Sequence, residues 1–446
     1  MAANGRPRVV VVGGGFGGLY CAKRLERRLP PDAAEITVAS AENYMTYTPL
    51  LPEASSGQLE YRHIVVPLRQ VLRRARVLVG VVSGIDLTAR TCQVVTRYGH
   101  DRTLEWDRLV IAPGSVTRLQ STRGLADYAR GFKTVSEAVY LRNPVLEELE
   151  AADTVDDLGD RRAAATFVVI GAGYAGTELV AELEAMSRRA VGRYRRLDRR
   201  DLRWVLVNRS ERVLPELGPR LGREAVQVLN GRGVDVRLNT TVEEVGRGWV
   251  RLSDGETIRT WTLVWTAGVE PDPVVAQLGL PVNPRGQLEV DEYLTVRGRP
   301  DVFALGDVAQ VPDPRRPGQF TPPTAQHALR QANTCGDNLA ASLGVGQPRP
   351  YRHRDLGLLV NLGEHYGIGR VFGVHLWGLP GWVMTRAYHL YALPTGYRRL
   401  RVGLDWLVGR AGMGDVAQLG SVGRADPRAI SERLFPAREE ETHRRH

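Results

Sequence analysis

A strand, a glycine-rich turn and a helix follow one another twice in this chain, about 160 residues apart. The first copy runs from RVVVV (8–12) through GGGFGG (13–18) into LYCAKRLERRL, and the second from TFVVI (166–170) through GAGYAG (171–176) into TELVAELEAM. Such glycines allow a tight turn and a close approach of the backbone to a pyrophosphate, at a helix N-terminus with free N–H groups. One copy alone is weak evidence, but two in this context predict two dinucleotide sites.

The composition is that of a folded, globular protein. The 446 residues suffice for two or three domains, and 43% hydrophobic with 25% charged residues is close to the average for soluble proteins. Cys21, Cys92 and Cys335 form no CxxC pair and no metal-spaced cluster. We therefore expect neither a redox-active disulfide nor a metal site.

The formal net charge of +10 raises the question of an anionic partner. Nearly all basic residues are Arg, with Lys only at 23 and 133, and they are scattered rather than clustered with aromatics. This favours a compositional bias over a functional basic face, and no nucleic-acid partner is predicted. With no apolar run of 18 residues and no signal-peptide pattern, the expected location is the cytoplasm, with membrane contact only from the surface.

A third segment, RPDVFALGDVAQV (299–311), places Gly306 and Asp307 after an apolar strand. If this strand returns to the first sheet, Asp307 can accept hydrogen bonds from a cofactor hydroxyl. A Gly-Asp pair after a strand is equally compatible with an ordinary turn, so its meaning depends on the two glycine turns.

With these motifs, the chain resembles the type II NADH dehydrogenases, which are NADH:quinone oxidoreductases within the glutathione-reductase-like flavoproteins. The resemblance covers about residues 8–410 and includes NYMTYTPLLPEASSG (43–57), LVIAPGS (109–115), GFKTVSEAVYLRN (131–143), LVWTAGV (263–269), ALGDVA (304–309), PPTAQHALRQA (322–332) and RDLG (354–357). It implies that the first turn binds FAD, that the second binds NADH or NADPH, and that hydride passes to the flavin and on to a quinone without proton pumping.

The predicted fold is therefore α/β, with two Rossmann-like dinucleotide-binding domains and a C-terminal amphipathic helical segment. We expect the FAD domain in two parts, 1–125 and 296–365, around a nucleotide domain at 126–295. Residues 366–412 would form membrane-surface or dimer helices, and 413–446 a partly flexible tail. The predicted cofactor-binding residues are Gly13, Gly15, Phe16, Gly18, Ser40, Glu42, Tyr47, Pro49, Gly114, Gly171, Gly173, Tyr174, Gly176, Asn208, Arg209, Gly268, Gly306, Asp307, Ala325 and Gln326. Tyr47 and Pro49 are compatible with core packing as well.

Two strand ends depart from the Rossmann pattern, which carries an acid there to hold the ribose hydroxyls. In the first unit that position is Ser40, with Glu42 two residues later. In the second unit it is Asn208, followed by Arg209. Asn removes the repulsion of a 2′-phosphate and Arg can pair with it, which favours NADPH, although Arg209 can also be one more solvated arginine.

Three residues are predicted to act in the reaction. The PPTAQ segment is predicted to begin a helix whose N-terminus stabilises negative charge on the reduced flavin. Gln326 and Arg330 share a face of that helix, and the resemblance places both beside the quinone, although the family has Gln at the second position. Glu178 matches a family carboxylate near the nicotinamide, but an acid is also favoured at a helix start.

The C-terminal segment 371–410 combines an uncharged stretch with Trp377, Trp382, Trp406 and an excess of Arg over acid. This pattern predicts a pair of amphipathic helices on an anionic membrane surface; packing on the protein or a homodimer interface is the alternative. The functional hypothesis is an NAD(P)H:quinone oxidoreductase on the inner face of the cell membrane. The alternatives are a soluble flavoprotein reductase with another acceptor, or a nucleotide-responsive flavoprotein with slow turnover.

Overall fold

One mainly parallel and one fully parallel β-sheet, each flanked by helices, form the body of the protein and confirm the predicted α/β fold. A computed structural model describes residues 5–96, 99–118, 121–353, 357–409 and 417. The predicted tail at 413–446, apart from residue 417, and most of the RDLG motif lie outside these residues.

The first sheet is built from two separate parts of the chain. Its strands lie in the order Thr295–Val296, Arg299–Ala304, Arg108–Ile111, Arg8–Val12, Glu35–Ser40 and Arg76–Val79. All neighbours are parallel except Thr295–Val296, which is antiparallel to its partner. Val9 to Val12 are buried, as expected for a strand covered on both faces. The strand before Gly306 thus lies in the first sheet.

The second sheet has five parallel strands in the order Arg130–Gly131, Thr262–Trp265, Thr166–Ile170, Arg203–Val207 and Val234–Arg237. Around it lie the helices Val135–Thr154, Leu158–Ala164, Tyr174–Val191 and Pro219–Gly231. The strands Ser115–Thr117 and Val269–Pro271 pair antiparallel beside the two sheets and connect the two units.

Smaller elements complete the two units. Antiparallel meanders are formed by Val81–Asp86, Thr91–Val95 and Asp101–Glu105, and by Val242–Gly246, Trp249–Leu252 and Thr257–Arg259. Short strand pairs join Tyr44–Thr46 to Val65–Pro67, and Leu288–Glu289 to Ala309–Gln310. The short helices are Leu51–Ser55, Leu68–Val71 and Leu125–Tyr128, and the 3₁₀ turns are Thr48–Leu50, Tyr61–His63, Pro215–Leu217, Pro273–Leu278 and Gly306–Val308.

The two parts of the first unit are joined by a close contact between the helices Phe16–Arg28 and Ala325–Ser342. Gly336 permits the approach, because a Cβ there would lie 2.8 Å from Cβ of Arg24. Arg24 makes two hydrogen bonds of 2.8 and 2.9 Å to the carboxylate of Asp337. This contact fixes the start of the second helix relative to the first glycine turn.

The C-terminal helices begin later than the sequence predicts. Residues 366–377, expected to be helical, contribute to an antiparallel sheet of Gly357–Asn361, Gly367–Val371 and Val374–Trp377. The last two strands are joined by Phe372 and Gly373, both at positive φ (48° and 86°), which is the backbone of a tight hairpin turn. The helices are Gly378–Ala392 and Gly396–Gly409, so Pro380 lies in a first turn and Pro394 between the helices.

The three tryptophans of this segment do not share one face. Trp377 is exposed, but Trp382 is buried and Trp406 donates a 2.5 Å hydrogen bond from Nε1 to the buried carboxylate of Glu53. The guanidinium of Arg386 lies between the two inward-facing rings, 4.3 Å from Trp382 and 4.6 Å from Trp406. The prediction that all three tryptophans mark a membrane interface is therefore wrong for Trp382 and Trp406. None of the described helices has the length and apolarity needed to span a bilayer.

Candidate active site

A cavity of about 1040 Å³ lies at the carboxyl ends of the first sheet's strands, where open α/β sheets bind ligands. Its walls come from both sheets, from the start of the Ala325–Ser342 helix and from the Gly378–Ala392 helix. It brings together fifteen of the predicted site residues: Gly13, Gly15, Phe16, Ser40, Glu42, Tyr47, Pro49, Gly114, Tyr174, Glu178, Gly268, Gly306, Asp307, Ala325 and Gln326. Gly18, Gly171, Gly173, Gly176, Asn208, Arg209 and Arg330 are not among its lining residues.

The glycines of the first turn serve two different purposes. At Gly13 and Gly18 the backbone has no room for a side chain, whereas Gly15 leaves open space beside the backbone. Gly13 has φ of +102°, and a Cβ there would lie 2.1 Å from the carbonyl oxygen of Ala112. A Cβ at Gly18 would lie 1.8 Å from the carbonyl oxygen of Gly13. Around Gly15, in contrast, a Cβ would meet no atom within 4 Å. This open cradle at a helix N-terminus, in a cavity of this size, fits the pyrophosphate of FAD.

The second glycine turn repeats this geometry. Gly171 has φ of +107°, and a Cβ at Gly176 would lie 1.9 Å from the carbonyl oxygen of Gly171. Gly173 is exposed, with open space around the position of its missing Cβ. Thr266 Oγ1 donates to the carbonyl oxygens of Ile170 and Gly171 at 2.8 and 2.9 Å, which holds the turn against the neighbouring strand.

The side chain of Asn208 makes hydrogen bonds within the second turn and the loop that follows its own strand. Its Oδ1 accepts from the backbone N–H of Ala172 at 3.1 Å, and its Nδ2 donates to Ser210 Oγ at 2.8 Å and to the carbonyl of Arg212 at 2.9 Å. The side chain of Arg209 is exposed. Of the two polar residues predicted at this strand end, only Arg209 extends toward solvent.

Asp307 lies in the cavity wall with two polar neighbours that the sequence reasoning missed. Ser115 Oγ donates to Oδ2 of Asp307, and Lys133 Nζ donates to Ser115 Oγ and lies 3.9 Å from the same carboxylate oxygen. Burial lowers the pKa of Lys133, and the carboxylate opposes that shift. Lys133 is one of only two lysines in an Arg-rich chain, and this rarity is the sequence signal that could have identified it as a candidate site residue.

The helix predicted at PPTAQ begins at Ala325, with Thr324 as its N-cap. Thr324 Oγ1 accepts from the N–H of His327 at 3.3 Å, and both prolines precede the cap instead of occupying the first turn. Ala325 and Gln326 line the cavity, so the N-terminal end of this helix faces it. Its free N–H groups can stabilise negative charge there.

Arg330 does not join Gln326 at the cavity, contrary to the prediction from their shared helix face. Its guanidinium Nη1 lies 2.5 Å from Nδ1 of the His353 imidazole. Residues four apart on a helix are also displaced by about one turn along the axis, and the cavity wall on this helix reaches only Leu329. Cys335 lies farther along and is buried, as are Cys21 and Cys92.

Glu178 belongs to a buried group of three carboxyls that also contains Glu53 and Glu182. Asn361 organises the group: its N–H donates to Glu178 at 2.8 Å, and its Nδ2 donates to Glu53 at 2.8 Å and Glu182 at 3.0 Å. Burial raises the pKa of Glu178 to about 8, against the lowering effect of the Asn361 hydrogen bond. Burial and the charge of Glu53 also raise the pKa of Glu182. The sequence indicated Glu178 but not this network.

Tyr47, another residue of the cavity wall, is in contact with the C-terminal helix Gly378–Ala392. Its hydroxyl lies 3.1 Å from Nδ1 of His389, and its ring centre lies 5.7 Å from that of Phe16. Tyr47 is therefore both buried and part of the cavity wall. His389, which the sequence reasoning did not single out, joins the Gly378–Ala392 helix to the site.

Comparison with known proteins agrees with this geometry. Residues 7–332 match the pyridine nucleotide-disulphide oxidoreductase family. The chain is 32% identical over 417 residues to demethylphylloquinone reductase NdbB of Synechocystis, covering 91% of this chain and 96% of that protein. It is 32% identical over 435 residues to the type II NADH:quinone oxidoreductase NdhA of Mycobacterium tuberculosis, covering 92% and 89%.

The chain belongs to the type II NADH:quinone oxidoreductase family. Its fold is similar to that of NDH2 from Plasmodium falciparum in complex with NADH, with a TM-score of 0.85 at 17% identity, over 92% of this chain and all of that one. The predicted family is confirmed, and so are the predictions of an oxidoreductase and of FAD and a nicotinamide nucleotide as cofactors.

Proposed function

We propose that this protein oxidises NADPH or NADH and reduces a quinone at a membrane surface. One observation carries the proposal: a single cavity is bounded by the first glycine turn, by Tyr174 and Glu178 of the nucleotide domain, and by the C-terminal helix. Electron donor and acceptor can thus approach the same cofactor from different walls. The names of the relatives, a demethylphylloquinone reductase and a type II NADH:quinone oxidoreductase, support a quinone as the acceptor.

Each wall has a separate task in this proposal. The N–H groups of the turn at Gly15 and Phe16 hold the FAD pyrophosphate, and Asp307 accepts a hydrogen bond from a cofactor hydroxyl. When bound there, FAD supplies the ring that accepts hydride from the nicotinamide and returns electrons to the acceptor. The N-terminus of the Ala325–Ser342 helix stabilises the negative charge that reduction creates.

The nucleotide-domain wall orients the nicotinamide. Tyr174 and Glu178 come directly from the helix that follows the second turn, so binding a pyrophosphate at Gly173 brings the nicotinamide end toward them. We propose that Glu178 is a neutral hydrogen-bonding group at neutral pH, because burial raises its pKa to about 8. A neutral carboxyl can donate to the nicotinamide amide without placing charge beside the ring.

We propose that the protein prefers NADPH to NADH as the hydride donor. Asn208 places no carboxylate at the strand end, and the exposed guanidinium of Arg209 is available to a 2′-phosphate. Arg209→Ala should raise KM for NADPH about tenfold or more and leave KM for NADH within about twofold, consistent with loss of a charge-assisted contact. Arg297→Ala, another exposed arginine, is the control. Equal effects of Arg209→Ala on both nucleotides would contradict the NADPH preference.

The acceptor wall is apolar and reaches the protein surface. Met384, Tyr388 and Tyr391 of the Gly378–Ala392 helix line the cavity, and Tyr391 is 76% exposed. Leu359 of the C-terminal sheet and Phe372 of its hairpin turn line the cavity as well. An apolar ring system can enter between these elements without crossing the nucleotide domain.

The surface around this opening is the proposed membrane contact. Large apolar side chains are exposed on the hairpin and both C-terminal helices: Phe372, Val374, Trp377, Leu379, Val383, Met384, Tyr391, Tyr397, Leu400, Leu404, Leu407 and Val408. Arg399 and Arg401 are exposed among them. Exposed apolar area with interspersed cations suits the headgroup boundary of an anionic bilayer. We propose peripheral attachment to the cytoplasmic face; a homodimer is the other arrangement that would cover this surface.

The test measures turnover with different electron acceptors, and vesicle binding by surface variants, in the FAD-loaded protein. We expect rapid oxidation of NAD(P)H with menaquinone or ubiquinone analogues and sedimentation with vesicles containing anionic lipid. The double variant Leu404→Glu/Leu407→Glu should lose vesicle binding, whereas Leu158→Glu, at an equally exposed apolar site on the nucleotide domain, should keep it. Turnover on dyes but not on quinones would favour the soluble reductase with another acceptor. A dimer that the double variant dissociates, without any vesicle binding, would assign the surface to a second copy.

A further inference from the structure

His389 is a buried histidine that lines the cavity, and only one of its two ring nitrogens has a hydrogen-bond partner among the described residues. The residue is 8% exposed and lies in the last turn of the Gly378–Ala392 helix. Nδ1 lies 3.1 Å from the hydroxyl of Tyr47. Nε2 has no hydrogen-bond partner among the residues that the structure describes. Although the residue as a whole is buried, Nε2 is not among the fully inaccessible, unpartnered side-chain atoms, so it keeps access to the cavity that His389 lines, where a ligand can accept its hydrogen bond.

The protonation state of this pair follows from its surroundings. Burial lowers the pKa of His389 to about 4, so at neutral pH the ring is uncharged and carries one proton. Burial also raises the pKa of Tyr47 well above its usual range, so the phenol keeps its proton. A phenolic O–H is a stronger donor than a neutral imidazole N–H. Tyr47 therefore donates to Nδ1, which leaves the imidazole proton on Nε2.

The neighbours of His389 in the cavity are mostly apolar. Met384, Ala387 and Ala392 of the same helix line it, and the ring of Tyr388 lies 5.4 Å from the imidazole. In such a pocket a single donor orients a ligand and stabilises charge more strongly than it would in water. A quinone gains negative charge on its carbonyl oxygens as it accepts electrons, and an N–H group is the complement of that charge.

We propose that His389, positioned by Tyr47, donates an Nε2–H hydrogen bond to a carbonyl oxygen of the quinone and stabilises that oxygen during reduction. The proposal rests on the proposed function, since it assigns a residue to the acceptor side of the same cavity. His389 is the group in contact with the substrate, and Tyr47 is a positioning residue. The role is hydrogen-bond donation, because the ring does not hold a second proton at neutral pH.

The kinetic test replaces the ring nitrogens while keeping the shape. His389→Phe should lower kcat/KM for a menaquinone analogue on the order of 10²-fold, the effect of removing a donor to a developing oxyanion. The loss with ferricyanide, which has no carbonyl group, should be at least tenfold smaller. His389→Gln, whose amide N–H can replace Nε2–H, should recover most of the quinone rate. His100→Phe, an exposed histidine in a meander, is the matched control. An unchanged ratio of quinone to ferricyanide activity in His389→Phe would overturn the proposal.

A direct measurement keeps the proposal testable even if the variants fold poorly. In the oxidised, FAD-loaded wild type without nucleotide, ¹⁵N NMR should show His389 as the Nε2–H tautomer, and its resonance should shift on titration with a short-chain naphthoquinone. Tyr47→Phe should mix the two tautomers, a change that loss of packing alone would not produce. Absence of a shift at saturating quinone overturns the role of His389, whatever the turnover. A shift in a protein that does not reduce quinones would instead contradict the proposed function and leave this contact in place.

Discussion

The two glycine turns share a backbone but differ in what surrounds them. In each, the first glycine lies at φ just above +100°, and the last has no room for a Cβ against the carbonyl oxygen of the first. In each, the middle glycine leaves open space. The comparison shows that the fold requires the outer glycines but not the middle ones. We expect the middle glycines to be required by the ligand, whose pyrophosphate needs close approach to the backbone.

The differences begin at the strand ends and continue along the helices. Ser40 stays in the wall of the large cavity, whereas Asn208 is used to hold its own turn. Two residues after the last glycine, the first helix carries Tyr20 and the second carries the buried Glu178. The strand end of the first unit thus contributes to the large cavity, whereas the second unit has an exposed turn beside a group of buried carboxyls.

The largest expected contrast comes from filling the last glycine of each turn. Gly18→Val and Gly176→Val each force a side chain into backbone atoms less than 2 Å away and should cost at least about 3 kcal/mol of folding free energy locally. Gly18→Val should purify without flavin. Gly176→Val should keep flavin that dithionite reduces but NAD(P)H does not. Absorbance spectra check both, and the same phenotype for the two variants would break the comparison.

Filling the middle glycines should separate ligand binding from folding. Because space is open at both positions, Gly15→Ala and Gly173→Ala should keep Tm within a few degrees of the wild type. Gly15→Ala should weaken FAD retention, measured by flavin release on dilution. Gly173→Ala should raise KM for the nucleotide without flavin loss. A large fall in Tm for either variant would mean that the cradle is a packing site.

The buried carboxyls Glu178 and Glu182 of the second unit predict that the stability of the protein depends on pH. Because burial raises the pKa of Glu178 to about 8 and raises that of Glu182, the folded state binds more protons than the unfolded state above about pH 4.5. The free energy of unfolding should therefore fall as pH rises from about 4.5 to 8. Thermal unfolding scans should show a smaller decline for Glu182→Gln. Glu35→Gln, which changes an exposed carboxyl of the first unit, should keep the wild-type decline.

The smallest expected contrast lies at the strand ends. Asn208→Ala removes the acceptor of the Ala172 N–H and should destabilise the protein by about 1 kcal/mol. Ser40→Ala should leave unfolding nearly unchanged and weaken FAD binding by several-fold. Chemical denaturation and flavin titration measure the two effects. If Ser40→Ala destabilises the fold as much as Asn208→Ala does, the two strand ends do not differ in role.

The features that the sequence predicted correctly are those encoded by a local pattern of residues. Both glycine turns, the strand before Asp307 and the helix at Ala325 follow from apolar runs and turn residues close together in the chain. The hairpin at 367–377 was missed because a short apolar stretch does not distinguish strand from helix.

Contacts between side chains from distant parts of the chain could not be predicted from the sequence. Arg330 lies beside His353, Trp406 beside Glu53, and His389 beside Tyr47. The residues in the last two pairs are more than 300 positions apart, so helix periodicity could place each residue on a face but could not say what that face meets. The glycines of the first turn predicted where the cavity lies, but the polar contacts around it could not be predicted from the sequence.

An anaerobic flavin titration tests the central claim most directly. The purified, FAD-loaded protein should show flavin absorbance that NADPH or NADH bleaches and that a quinone analogue then restores, because one cavity serves both partners. A protein that remains colourless after incubation with FAD, or whose bound flavin neither nucleotide reduces, would contradict the account.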